Sequence, residues 1–207
     1  RPDLYLISMK LFRKIQKWFE NQENLYYLFL IILIVPNIVL CFTEPMPLVA
    51  KVCNVLLPFS IYHMIMSWSG NCGKTFWILF PFLFFGAFQI VLLYLFGQSV
   101  IAVDMFLNLV TTNPGEALEL LDNLIPAIII VVLLYIPALV LAAVAVSEKR
   151  RLSETFVRRE RKRARITVIA GILSLVAAYL FDARYELKSD LYPANVCYNI
   201  ALAFQRT

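Results

Sequence analysis

Three side chains of different chemistry fall four residues apart in the stretch NLVTTNPGEALELL: the amide of Asn108, the hydroxyl of Thr112 and the carboxylate of Glu116. Residues four apart share a helix face, so a near-helical chain would stack all three. Asn113 suits an N-cap, Pro114 the first helical position, and Glu116 falls three residues after the cap. A helix is therefore expected to break at 112–113 and restart at Pro114. Its first turn offers free backbone N–H groups and the positive end of the helix dipole. A zwitterionic head group wants that pairing, with its phosphate toward the N–H groups and its ammonium toward the carboxylate. A plainer reading uses the same residues. Glu116 then only completes a capping box, and Glu119 solvates the face opposite Ala117, Leu118 and Leu121. The residues alone leave both readings open.

The frame that would position them is apolar. The chain has 207 residues, 61% of them hydrophobic, and a mean hydropathy of +0.75. Soluble domains average roughly 45–50% apolar residues. A bilayer core about 30 Å thick needs about 20 apolar residues per helix. Five runs qualify, at 25–43, 47–68, 75–97, 124–146 and 166–181. The expected fold is all-α: a polytopic membrane protein with five transmembrane helices and an interfacial helical segment, 98–123, between the third and fourth. Residues 1–24 read as an amphipathic basic start, 147–165 as a basic link, and 182–207 as a segment leading away from the last span. The fifth run is short, about 24 Å at roughly 1.5 Å per residue, so its ends are expected to extend. No stretch alternates as a β-barrel strand would.

Charge orients the spans. The link 147–165 holds nine basic residues against three acids, and the N-terminal segment and Lys74 add to the same side. The segment 98–123 carries Asp104, Glu116, Glu119 and Asp122 and neither Lys nor Arg. The positive-inside rule then puts the N-terminus in the cytoplasm and the C-terminus outside. The basic run RRERKRAR lacks the aromatic interleaving of a nucleic-acid site, so no nucleic-acid partner is expected; contact with anionic lipid fits it better. Cys41 and Cys53 fall near the outer ends of the first two spans, where unpaired thiols are favoured over a bridge. GNCGKT at 70–75 ends like a phosphate loop, but Trp68 stands where its first glycine belongs. The single histidine, His63, has no carboxylate partner in its own span, which favours a hydrogen-bonded imidazole over a ligand or proton relay. A small transporter or channel subunit would need charges within the spans, and only Lys51 and His63 qualify. A membrane anchor without head-group specificity stays open.

The five spans, the basic link and DMFLNLVTTNPGEALELL resemble the N-terminal transmembrane domain of the bacterial phosphoethanolamine transferases. That sulfatase-like group includes lipid A-modifying and mobile colistin-resistance enzymes. The tail LYPANVCYNIALAFQRT resembles the linker that follows their last span. The resemblance runs over about residues 10–207, and its most specific part is the Asn-x3-Thr-x3-Glu spacing.

The resemblance implies a multi-pass protein of the bacterial inner membrane with a periplasmic C-terminus. It implies transfer of phosphoethanolamine from phosphatidylethanolamine to lipid A or a related glycolipid, a lipopolysaccharide modification tied to polymyxin resistance. Asn108, Thr112 and Glu116 match its head-group positions; Glu119 matches none. Its threonine nucleophile and its zinc belong to a soluble domain after the last span, where this sequence stops. The chain is therefore expected to bind and position lipid, to hold no catalytic residue and no metal, and to be inactive by itself. A related transferase of another head group, such as glycerol phosphate, is the alternative.

Overall fold

The computed structural model describes residues 2–96 and 113–206. Among these the regular structure is helical throughout. The helices are α1 (Pro2–Glu20), α2 (Gln22–Thr43), α3 (Leu48–Met66), α4 (Cys72–Ile78), α5 (Phe80–Phe96), α6 (Pro114–Ser147), α7 (Glu154–Phe181), α8 (Leu187–Asp190) and α9 (Ala194–Arg206). Four are long and apolar enough to cross a membrane: α2, α3, the Ile125–Ser147 part of α6, and α7. The amphipathic start forms α1 and leaves Leu6, Phe12, Ile15 and Trp18 exposed.

The run expected as a third span is divided between α4 and α5. Pro81 has no N–H to offer the Trp77 carbonyl, and its ring crowds that turn. The chain tightens there instead. Leu79 N–H reaches the carbonyls of Thr75 and Phe76, both at 3.1 Å, and Phe82 N–H reaches Leu79 O at 3.0 Å. Pro36, Pro58, Pro126 and Pro137 lie inside helices that continue past them, as membrane helices tolerate when neighbours re-satisfy the backbone.

Two other expectations change shape. The helix that restarts at Pro114 does not stop before the fourth span but runs unbroken to Ser147. The basic link is largely helix as well: α7 begins at Glu154, capped by the Ser153 hydroxyl, which accepts from Phe156 N–H at 3.3 Å. That gives the short fifth span the extension it needed.

Small residues let the helices close. A Cβ on Gly171 of α7 would sit 2.7 Å from Ser60 Oγ and 3.2 Å from Leu57 Cα of α3. A Cβ on Gly73 of α4 would strike the Ala142 carbonyl of α6. This close approach, rather than phosphate binding, explains the second glycine of GNCGKT. The core joins Leu25, Tyr26, Phe29 and Leu33 of α2 to Phe76 and Phe156, with the Phe29 and Phe76 rings stacked at 4.2 Å. Outward faces of α6 and α7 carry Ile129, Leu133, Ile169, Leu173 and Leu180, all exposed. That apolar surface is the kind a bilayer covers.

Candidate functional site

Of the three head-group candidates, Asn108 and Thr112 lie outside the described residues. Glu116 falls on the first turn of α6. The start of that helix forms as its sequence suggests: Asn113 is the N-cap, its Oδ1 accepts from Gly115 N–H at 2.9 Å, and Pro114 takes the first helical position. The helix has 34 residues, about 51 Å at roughly 1.5 Å per residue. A hydrocarbon core of about 30 Å cannot enclose it. Glu116 stands eight residues before Leu124, where the apolar run of the sequence opens, about 12 Å along the axis at roughly 1.5 Å per residue.

The neighbouring end of the bundle is closed by the tail. Asn37 of α2 donates to the carbonyls of Asn54 (2.8 Å) and Tyr192 (2.9 Å). The Asn54 side chain accepts from Tyr192 N–H at 3.3 Å, and the Tyr192 hydroxyl donates to Phe82 O at 3.2 Å. Two buried asparagines thus hold the tail against α2, α3 and α5. Such amides join helices where water is absent. Tyr185 and Tyr192 are buried, and burial, with the Cys53 thiol 3.5 Å away, raises the Tyr185 hydroxyl's pKa above its ordinary value. Cys41 and Cys53 carry free thiols.

At the opposite end a second polar cluster forms around Glu160, which sequence reasoning passed over. Its side chain is 1% exposed and takes the Tyr27 hydroxyl at 2.8 Å, Arg163 Nη1 at 2.9 Å and Arg159 Nε at 3.3 Å. Its other oxygen lies 3.2 Å from His63 Nε2, and Thr167 Oγ1 lies 3.5 Å from His63 Nδ1. His63 is therefore hydrogen-bonded, but to a carboxylate 97 positions along the chain. The α3–α4 and α6–α7 links are stitched together nearby. Asn71 Nδ2 donates to the carbonyls of Ala145 (3.1 Å) and Arg150 (2.9 Å), and Leu152 N–H to Gly70 O (2.7 Å).

The family model for phosphoethanolamine transferase EptA/EptB, N-terminal part, matches residues 58–207. The chain belongs to this phosphoethanolamine transferase family. The match begins within α3, so it is narrower at the N-terminal end than the resemblance suggested. It includes Asn108, Thr112, Glu116, His63 and Glu160, and leaves out α1, α2 and Tyr27. No curated protein and no solved structure matches the chain. Members of the transferase family are expected to use zinc, but among the described residues no three His, Cys, Asp or Glu side chains come together to hold a metal ion. These residues do not fit that role, and no step of chemistry is assigned to them.

Proposed function

We propose that this chain is the membrane domain of a phosphoethanolamine transferase that holds phosphatidylethanolamine for transfer of its head group to lipid A or a related glycolipid at the periplasmic face of a bacterial inner membrane. The observation that carries the reading is the family match over 58–207, which takes in all three head-group candidates. The place of Glu116 on the first turn of α6, before the apolar run begins, supports it, since a carboxylate there is outside the hydrocarbon and open to a lipid's ammonium. In this reading Glu116 takes the ammonium, while Asn108, Thr112 and the N–H groups at the start of α6 face the phosphate. Holding the reacting group at a fixed height can be worth several kcal/mol, roughly, of the barrier to transfer. The phosphoryl chemistry, a threonine nucleophile with zinc, belongs to a domain outside these 207 residues, so the chain by itself would turn nothing over.

Native mass spectrometry of the purified chain tests this with two lipids that share a phosphate. Phosphatidylethanolamine offers N–H donors to a carboxylate, and phosphatidylcholine offers none. Preferential retention of phosphatidylethanolamine, lost in Glu116→Ala and in Asn108→Ala, is the expected result. Equal retention of both lipids, unchanged by either substitution, would reduce the segment to a capped helix start on a membrane anchor.

A further inference from the structure

The links stitched together through Asn71 and Gly70 leave two adjoining clefts of about 430 and 420 Å³ that share Gly70 and Arg151. The first has Lys74, Lys149 and Arg151 on its walls; the second has Arg151, Arg158 and Arg161, with Trp68 at its side. Among the described residues no carboxylate comes within 4.0 Å of any of these five cations, because Glu148 pairs with Arg150 and Glu160 with Arg159 and Arg163. Glu154 also lines the second cleft and joins no ion pair. Arg161 is anchored by Nη2 on Ser67 O at 3.3 Å, while its buried Nε has no partner. Lys149 sits in the left-handed backbone region at φ 51°, where glycine or asparagine usually ends a helix. A charged side chain stands there despite the strain. Trp68 is 69% exposed, the amphipathic ring found at the head-group level of a membrane.

We infer that this double cleft is a binding site for the phosphate of an anionic phospholipid in the leaflet facing the basic end of the bundle. Five cations against the single carboxylate of Glu154, around a walled space beside an exposed indole, suit a lipid phosphodiester whose chains lie along the bundle. Basic pockets between membrane helices on the cytoplasmic side commonly take such head groups. The site is independent of the donor site proposed at Glu116, which lies at the far end of α6. Occupation would tie the α3–α4 and α6–α7 links together from outside, as Asn71 does from within.

The test is retention of phosphatidylglycerol, against phosphatidylcholine, by the purified chain in native mass spectrometry. Lys149→Gln/Arg151→Gln changes two exposed side chains of the cleft. Lys162→Gln/Arg165→Gln removes the same charge from exposed positions of α7 outside it. The cleft variant should lose phosphatidylglycerol by roughly tenfold or more and the matched variant should keep it. Arg161→Gln should weaken it too, with phosphatidylethanolamine retention untouched in every case. Equal loss in both double variants would mean diffuse attraction to a basic surface and would overturn the site. Displacement of the lipid by millimolar inorganic phosphate would assign the cleft to a soluble phosphate and overturn the lipid reading. An unchanged melting temperature in the cleft variant separates lost binding from lost fold.

Discussion

Glu160 makes four contacts in a space that admits almost no water, and each partner comes from a different sequence position. Tyr27 belongs to α2, His63 to α3, and Arg159 and Arg163 to the turns of α7 around it. Removing the buried carboxylate leaves the buried His63 imidazole and the Tyr27 hydroxyl without that partner, at typically about 1–3 kcal/mol for each group left unsatisfied, while the half-exposed guanidiniums return to solvent. Glu160→Ala should therefore lower the melting temperature of the detergent-purified chain more than any change to a single partner. Tyr27→Phe removes one hydrogen bond to a charged acceptor and should cost about 1.5–3 kcal/mol. Arg159→Gln should change little, because that guanidinium is half exposed and solvent replaces it. Melting curves of the three variants check the order; equal effects from Glu160→Ala and Arg159→Gln would mean that the carboxylate is solvated after all. The pairing was hard to read in the sequence for a physical reason. His63 shows as an ionisable group in an apolar run, but its partner hides in RRERKRAR, where an acid among eight-residue basic company reads as solvated. Only the packing of α3 on α7 brings them together. Asn113 and Pro114, by contrast, act through bonds to their own neighbours, so their roles were legible from order alone.

At the scale of the element, the apolar runs told where helices lie and left open where they end. The break at Leu79 required knowing that Pro81 would not be accommodated when Pro36, Pro58, Pro126 and Pro137 are. The unbroken course of α6 required knowing that the start at Pro114 faces no stop before the span. Close approaches are read the same way, from what the neighbour is. At Gly73 a new Cβ meets the backbone carbonyl of Ala142, which cannot move without its helix. At Gly171 it first meets the Ser60 hydroxyl, which can rotate, and then Leu57 Cα at 3.2 Å. At Gly70 it meets nothing within 4 Å. Overpacking a closed contact costs typically about 1–3 kcal/mol. Gly73→Ala should accordingly destabilise most, Gly171→Ala less, and Gly70→Ala hardly at all. Denaturant titration in detergent micelles measures all three, and a Gly73→Ala variant as stable as Gly70→Ala would show that α4 and α6 are not held at this spacing.

For the whole molecule the decisive question is which end faces which compartment. The α1–α2 junction, the α3–α4 link and the α6–α7 link gather at one end: Cys72 Sγ lies 3.6 Å from Gln22 Oε1, and Leu152 N–H bonds Gly70 O. The same end holds Lys74, the basic turns of α7 and the double cleft. The tail and the start of α6 are at the other. Charge bias orients membrane helices through basic residues in short links, and here the bias is large, nine cations to three acids in 147–165. Thiols already in the chain report on this. Cys197 is exposed on α9. Cys72 is fully buried, and burial pushes its thiol up to about 11, so it carries little of the reactive thiolate. In spheroplasts of a bacterium producing the chain, a membrane-impermeant maleimide should label Cys197 from outside and should leave Cys72 unmodified even after permeabilisation. A thiol placed by Ser147→Cys in a Cys197→Ser background should react only once the membrane is opened. The reverse pattern would turn the bundle over. It would move Glu116 to the cytoplasmic face, away from any periplasmic acceptor, and the donor-lipid reading would fall with it.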